Sequence, residues 1–459
     1  MHLWAKKHGK LQITAPSTYD QHLMKQGYEV EKIAHDYLIQ YMLPKYKNAE
    51  LLWQQTYTSG EYQSRADGII HDLDSDTYDL YEIKSSTSEK KDHLPDATFQ
   101  SIVIGDFLTI GSIHLVLLND EYVRGDSLDI EQLFKVPDVT NDVNEMTPTV
   151  LSQMREALRI VKSDSSDTVL NCFNPKDCPC LNLCHPNLPQ YSIYNIPNLT
   201  PKKRRELEEA KTIAIDDVDL NFSFTPKQQK IVDVMQSKTP FIDKLTILSL
   251  LHGLIYPLYF LDYETYDEAI PLYKGHKPYQ KMVFQYSLHI VSSNSQDTQH
   301  EEYVAIEPGD PARELVKHLQ KHISGTGSVI VWNKAFEGGR NREMVEQYPE
   351  YKDFLTDVNN RMFDLMEIVS KGYYVHPDFR GSWSIKNVLP VMVPELNYKD
   401  LSINKGDMAM IAWWDMVHSQ STEVKKKTID SLLKYCGLDT MAMVKILEKL
   451  KLSEKLLDF

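Results

Sequence analysis

The stretch Tyr81–Glu82–Ile83–Lys84 sets an acid and a lysine two positions apart, interleaved with apolar residues. In a strand, alternate side chains share one face, so Glu82 and Lys84 point together. That pairing suits hydrolysis of a phosphodiester. A carboxylate can hold a divalent cation, and a lysine can orient a water or offset charge on the phosphate. Asp67 lies at the centre of Ser64–Arg65–Ala66–Asp67–Gly68–Ile69–Ile70, just upstream of a polar turn at residues 72–77. A hairpin through that turn brings Asp67 beside Glu82.

A second acidic pair, Asp262 and Glu264, follows the apolar run from Thr246 to Leu261. Both carboxylates share a strand face. Two acids at the end of a buried strand are costly unless a cation holds them. Glu337 ends Asn333–Lys334–Ala335–Phe336–Glu337, at or near a helix start. In Tyr435–Cys436–Gly437–Leu438–Asp439–Thr440, a helix sets Tyr435 and Asp439 one turn apart on one face. The third group is of thiols. Cys172, Cys178, Cys180 and Cys184 are four of the five cysteines and are bunched together. Such bunching points to a metal rather than a secreted disulfide framework, and both zinc and iron–sulfur accept four thiolates.

The elements that must position these groups are legible in part. Val30, Ile33, Ala34, Tyr37, Leu38, Tyr41 and Met42 fall on one face of a helix expected from Gly27 to a stop at Pro44. Glu31 sits at the edge of that stripe, with His35 one turn later. Strands are expected at 54–62, 65–71, 78–85 and 113–118, a helix at 98–105 carrying Gln100, and another at 149–161. Thr200–Pro201 and Thr225–Pro226 read as helix starts, the second with Gln228 completing a capping box. Lys202, Lys203, Arg204 and Arg205 near the first start are candidate nucleic-acid contacts, or a solvated helix face. Further strands are expected at 259–265, 284–292 and 329–332. Leu432, Leu433, Met443, Val444 and Leu447 give the last helix its packing face, and Trp413–Trp414 read as core.

A chain of 459 residues, 42% hydrophobic and 25% charged, has room for two or three domains. We expect boundaries at 1–190, 191–250 and 251–459. The net charge of −15 argues against coating nucleic acid through overall charge, while leaving room for a local basic groove. The start, Met1–His2–Leu3–Trp4, does not read as a signal peptide, and no run suits a membrane span. A cytoplasmic location is expected.

A helical Glu, an Asp-Gly in a hairpin, Glu-Ile-Lys and a helical Gln together resemble the RecB-type branch of the PD-(D/E)xK nucleases, over roughly residues 20–190. The resemblance implies that Glu31, Asp67 and Glu82 bind Mg2+ or Mn2+, with His35 the alternative to Glu31. It implies that Lys84 assists the attacking water and Gln100 supports the site. The cysteine spacing resembles the iron–sulfur staple of RecB-like nucleases in CRISPR adaptation modules and recombination helicase–nucleases. It implies a 4Fe-4S cluster on Cys172, Cys178, Cys180 and Cys184, with Zn2+ the alternative. Those relatives draw one cysteine from upstream, whereas this chain has none before Cys172.

The order Asp-x-Glu, Asn-x2-Phe-acid, Tyr-x3-Asp resembles the tyrosine variant of the DEDD exonucleases, with an RNase H-like fold. It implies that Asp262, Glu264, Glu337 and Asp439 hold Mg2+ or Mn2+ and that Tyr435 positions the water. Glu337 departs from the aspartate usual there, and Asp364 is the alternative ligand. Pro278–Tyr279–Gln280, Phe284–Gln285–Tyr286–Ser287–Leu288–His289 and Ser384–Ile385–Lys386–Asn387 resemble a bacterial domain family of unknown function that joins two such halves. Lys386 is a phosphate contact or a packing residue.

The expected architecture is thus α/β: a PD-(D/E)xK restriction-endonuclease-like domain ending in a cysteine cluster, a helical connector, and an RNase H-like exonuclease domain. The expected activity is metal-dependent hydrolysis of DNA, the second site acting from the 3′ end. RNA is the alternative substrate, and a nucleic-acid-binding or partner-scaffolding module with inactive sites is the alternative class. Partners would be DNA and proteins of repair, CRISPR or phage defence.

Overall fold

The computed structural model describes residues 1–11, 15–165, 178–219, 221–293 and 298–452. The chain is mixed α/β and forms two compact units. Unit 1 comprises Met1–Val169 and Asp267–Lys281; unit 2 comprises Leu170–Tyr266 and Met282–Phe459. No described helix is long and apolar enough to cross a membrane.

Unit 1 runs α1 (His2–Lys7), α2 (Thr18–Tyr37), β1 (Ala49–Trp53), β2 (Thr56–Ser59), β3 (Tyr62–Arg65), β4 (Gly68–Asp72), β5 (Thr77–Lys84), α3 (His93–Gly105), β6 (Ile110–Leu118), α4 (Ile130–Leu133), β7 (Phe134–Lys135) and α5 (Thr140–Lys162). Its main sheet has the order β1-β4-β5-β6-β7. The β5–β6 pair is parallel and the other neighbours are antiparallel. Side chains alternate along the central strands. Ile70, Tyr81, Ile83 and Val116 pack with Val30, Ala34 and Leu38. Ile69, Leu80, Leu115 and Leu117 pack with Ala97, Ile104 and Val143. The sheet is therefore covered on both faces, which fixes its register.

Two expectations shift here. Helix α2 begins at Thr18, nine residues before Gly27, because Ser17 and Asp20 form a reciprocal capping box. Past Tyr37 the chain winds on through Leu38–Met42 to a last turn containing Pro44. The expected strand at 54–62 is instead the hairpin β2–β3, because Gln54 adopts a left-handed φ of 51° that ends β1. Within unit 1, residues 267–281 add Ala269 to the α2-side core, and Arg124 donates to the Pro271 carbonyl at 2.7 Å.

Unit 2 begins with α6 (Leu181–Cys184), α7 (Pro201–Glu209), α8 (Pro226–Ser237), β8 (Phe241–Ile242) and α9 (Lys244–His252). It continues with β9 (Leu258–Tyr266), β10 (Met282–Val291), β11 (Thr298–Val304), α10 (Ala312–Leu319), β12 (Ser328–Val331), α11 (Lys334–Gln347) and α12 (Lys352–Asn360). It ends with β13 (Met362–Asp364), α13 (Glu367–Ser370), β14 (Tyr374–Val375), α14 (Ile385–Met392), α15 (Gly406–His418) and α16 (Thr422–Leu452). The main sheet has the order β11-β10-β9-β12-β13. β10 is antiparallel to both neighbours, while β12 is parallel to β9 and β13. Tyr259, Leu261 and Tyr263 of β9 join the core built with Leu315, Met344 and Leu355 of α10, α11 and α12. The alternate residues of β9, including Asp262 and Glu264, therefore face the other side, where α15 and α16 pack. Gly327 allows β12 to start beside β9, since its φ of 95° and the nearby Pro257 carbonyl leave no room for a side chain.

The helices at 193–235 have their own core, with Ile193, Leu207, Ile215, Val232 and Met235 around Val375. Thr200 and Thr225 cap their helices as expected. Trp413 is buried and stacks on Phe284 at 4.6 Å, while Trp414 is half-buried and stacks on Tyr266 at 4.5 Å.

Candidate metal centres

In unit 1 the β4–β5 register pairs Gly68 with Tyr81, which brings Asp67 level with Glu82. Asp67 Oδ2 accepts from the Ile83 amide at 2.9 Å. Glu82 is 4% exposed, and both its oxygens are bonded. Oε1 accepts from Lys84 Nζ at 2.8 Å and Oε2 from Gln100 Nε2 at 2.6 Å. Lys84 also donates to Asp96 Oδ2 at 2.5 Å. Asp96 and Gln100 are one turn apart on α3, so this one helix face clamps the strand end. Glu31 accepts from the Gln54 side chain, and the Gln54 amide donates to the Asp67 carbonyl at 3.0 Å. The fallback, His35, turns instead to Asp36 at 3.4 Å and sets its ring edge against Trp53.

Burial pushes Asp67 up to about 6, the Ile83 N–H working against it and Glu31 adding to it. Burial, then Asp67, pushes Glu82 up to about 8, with Lys84 opposing. Burial works against the Lys84 ammonium, but Glu82 and Asp96 outweigh it and raise its pKa.

In unit 2 the acids crowd closer. Among the described residues, one trio brings three ligand atoms within 4.8 Å of one another: Asp262, Glu264 and Cys436. Glu31, Asp67 and Glu82 of unit 1 do not reach that spacing. The Cys436 thiol lies 3.5 Å from Asp262 Oδ2. Asp439 Oδ1 accepts from the Tyr398 hydroxyl at 2.5 Å. Lys386 Nζ donates to the Tyr435 hydroxyl at 3.0 Å and sits over the Tyr435 ring at 5.1 Å. Glu337, in the first turn of α11, is 2% exposed, and its Oε2 has no hydrogen-bond partner among the described residues. Asp364 Oδ2 accepts from the Lys334 amide at 3.0 Å at the start of α11, and its buried Oδ1 has no partner among the described residues. Its charge helps raise Glu337, so the alternative ligand stands beside that acid, outside the pocket lining. The pocket, about 240 Å3, is lined by Asp262, Glu264, Glu337, Asp439, Tyr435 and Lys386, with Trp332, Phe336, Ile385 and Met443 as its apolar wall.

Burial and the neighbouring acids Asp439, Glu264 and Glu337 hold Asp262 well above the usual carboxylate range. Burial, with Asp439, pushes Glu264 up to about 8 against the pull of Lys386. Glu337 is also pushed up to about 8, by burial. Asp439 rises by burial to about 6, restrained by the Tyr398 hydroxyl and Lys386. Burial, then Asp262, Glu264 and Asp439, raises the Cys436 thiol well above its ordinary value. Lys386 thus opposes the rise of Glu264 and Asp439 and also bonds a phenol, while Arg340 opposes that of Glu337.

The placement of α16 is fixed by polar bonds behind the site. Thr440 Oγ1 meets Ser287 Oγ and His289 Nδ1, each at 2.7 Å, and Gln285 Nε2 donates to the Leu432 carbonyl at 2.8 Å. These bonds set the height of Asp439 against β9 and β10.

Of the bunched cysteines, Cys172 lies outside the described residues. Cys178 and Cys184 are half-buried and Cys180 is buried, all as free thiols. Burial, then the neighbouring sulfurs, raises the thiols of Cys180 and Cys184. Lys202 and Arg205 are exposed on α7; Lys203 and Arg204 are half-buried, and Lys203 donates to the Ser223 carbonyl.

Gln54, Asp96, Tyr398 and Cys436 were not anticipated as site members. Asp96 had a signal, its four-residue spacing from Gln100, and Cys436 lay beside Tyr435. Gln54 and Tyr398 had none, since each acts through a contact distant in sequence.

Comparison with known proteins adds little chemistry. A family model described as a domain of unknown function (DUF2779) matches residues 259–384, a span that contains Asp262, Glu264 and Glu337 but not Tyr435 or Asp439. The chain is 29% identical over 208 residues to the uncharacterized protein UU173 of Ureaplasma parvum serovar 3. That match takes in 41% of this chain and 30% of the relative's length. No solved structure matches.

Proposed function

We propose that the protein is a two-site metal-dependent nuclease that hydrolyses phosphodiester bonds of DNA. The observation that carries this reading is the crowded acid cluster of unit 2: Asp262, Glu264, Glu337 and Asp439 face one pocket whose lining holds a single lysine, and the buried Glu337 Oε2 has no partner among the described residues. Buried carboxylates at such density call for a cation. Their oxygens suit Mg2+ or Mn2+, which favour all-oxygen sites with open positions for water and phosphate. In unit 1, Glu31, Asp67 and Glu82 would hold the same kind of ion. When bound, such an ion supplies an activated water and offsets charge on the phosphate.

The chain's own groups have distinct tasks. Lys386 fixes the Tyr435 hydroxyl, which orients the water at the pocket mouth. Phe336, half-buried on the pocket wall, offers a face on which a terminal base can stack. Trimming from the 3′ end is what the resemblance to the DEDD exonucleases implies for this site. In unit 1, Lys84 orients the water while Asp96 and Gln100 hold the Glu82–Lys84 pair in place. The mixed sheets are compatible with the PD-(D/E)xK and RNase H-like folds that the resemblances imply. Cys172, Cys178, Cys180 and Cys184 would hold a 4Fe-4S cluster or Zn2+, in a structural role.

The test uses end-labelled single- and double-stranded DNA and RNA with Mn2+. Wild type is compared with Lys84→Ala and with Asp262→Ala combined with Glu264→Ala. Each variant should lose a different cleavage pattern on DNA. Wild type that cuts no DNA, with metal content verified, would contradict the proposal; cleavage of RNA alone would reassign the substrate.

A further inference from the structure

The geometry points to Cys436 as a third ligand beside Asp262 and Glu264 for a thiophilic divalent cation of the Zn2+ class, so that such a cation can occupy the unit 2 centre and silence it. This rests on the reading of that centre as a metal site, and it assigns the site a regulation that the oxygen ligands alone do not give.

The sequence presents Cys436 inside a helical Tyr-x3-Asp, between two site residues. On α16 it is fully buried, and its thiol donates to Asp262 on β9. Its sulfur is 3.5 Å from Asp262 Oδ2 and 3.9 Å from the Asp262 carbonyl oxygen. With Glu264 the three ligand atoms span no more than 4.8 Å, a spacing one small cation can bridge. A serine or alanine would fill the same space without offering sulfur.

The donor set decides which ion gains. Mg2+ takes oxygen ligands and keeps its waters, so the sulfur gives it nothing. Zn2+ and Cd2+ gain strongly from a thiolate, and two carboxylates with one thiolate leave a fourth tetrahedral position open. The thiol proton passes to solvent when the cation binds. A Zn2+-class ion held this way would displace Mg2+ or Mn2+ from the same carboxylates. The enzyme would then be active in a Mg2+ pool and inhibited by a small excess of zinc.

The experiment uses the full chain and Cd2+ alone as the probe, read by cadmium NMR. Wild type should give a resonance of an oxygen-rich environment with one sulfur. It should be distinct from any sulfur-rich signal of the other cysteines, and it should vanish in Cys436→Ser and in Asp262→Asn. In parallel, Mn2+ bound to the protein is followed by electron paramagnetic resonance. Cd2+ should displace it from wild type at a concentration about tenfold or more below that needed for Cys436→Ser. A wild-type spectrum with only all-oxygen or sulfur-rich signals would overturn the proposal without any reliance on a variant. Equal displacement in both proteins, with Mn2+ bound, would overturn it while sparing the metal centre. Absence of Mn2+ binding at Asp262 and Glu264 would overturn both.

Discussion

The two acid clusters solve the same electrostatic problem in different ways. In unit 1 the buried Glu82 has both oxygens bonded, one by a lysine that also reaches Asp96. The Glu82 oxygens are matched from within the fold, although burial and Asp67 still push that acid up to about 8. In unit 2 the one lysine on the pocket bonds Tyr435, and Glu337 keeps a buried oxygen without a partner among the described residues. There an oxygen is left open. The acids hold protons to the same degree in both units, Glu82, Glu264 and Glu337 rising to about 8 and Asp67 and Asp439 to about 6, so the difference lies in the bonding of the oxygens. An internal counter-ion makes a site stable before any cation arrives. An open cluster makes stability depend on the cation.

The largest effect that would break this contrast is at Lys84. Lys84→Met strips Glu82 and Asp96 of their counter-ion and should destabilise unit 1 by about 3 kcal/mol in denaturant unfolding, the usual scale for breaking a buried pair from one side. A change below about 1 kcal/mol would mean that the pair is not a structural counter-ion.

Next in size is Thr440→Val. It removes a hydroxyl shared between Ser287 and His289 and should cost about 2 kcal/mol, leaving buried partners unsatisfied. Mn2+ affinity should fall with it, because Asp439 is the preceding residue on the same helix. Loss of stability with unaltered Mn2+ affinity would separate the network from the site.

A smaller effect carries the opposite sign. Glu264 and Glu337 have an ordinary value of 4.5 and are pushed up to about 8 in the folded chain. Between those limits the folded state keeps protons that the unfolded state releases. Metal-free stability should therefore fall as pH rises from 4.5 through about 8, and level off above. At pH about 9, Glu337→Gln should stabilise the metal-free protein by about 1 kcal/mol, by removing a buried charge. Thermal unfolding with and without Mn2+ reads both effects. A Glu337→Gln variant less stable than wild type under those conditions would contradict the account.

The smallest effect is on α7. Lys202→Ala with Arg205→Ala should change stability by no more than about 0.5 kcal/mol, as expected of exposed side chains. If this face touches DNA, filter binding should weaken and its salt dependence should flatten. Unchanged binding would leave α7 as a solvated helix.

What the sequence made legible was local. Strand alternation gave the shared faces of Glu82 with Lys84 and of Asp262 with Glu264, and helical spacing gave Tyr435 with Asp439. Capping chemistry gave the starts of α7 and α8. The start of α2 was also written in Ser17 and Asp20, but the first turns of that helix bury so little that periodicity pointed to Gly27. The rest was non-local. Tyr398 reaches Asp439 across 41 positions, and Gln54 links Glu31 to Asp67 only because its backbone turns left-handed. Nothing in the run 267–281 says that it joins unit 1 while the strands either side of it belong to unit 2.

The most direct test of the open cluster is a Mn2+ titration of the full chain, followed by electron paramagnetic resonance, for wild type, Glu82→Gln and Glu337→Gln. Wild type should bind Mn2+ saturably, with one class of sites weakened by Glu82→Gln and a different class weakened by Glu337→Gln. Only the class lost with Glu337 should raise the thermal midpoint of unit 2. Identical titrations for all three proteins would contradict the reading of these carboxylates as metal centres.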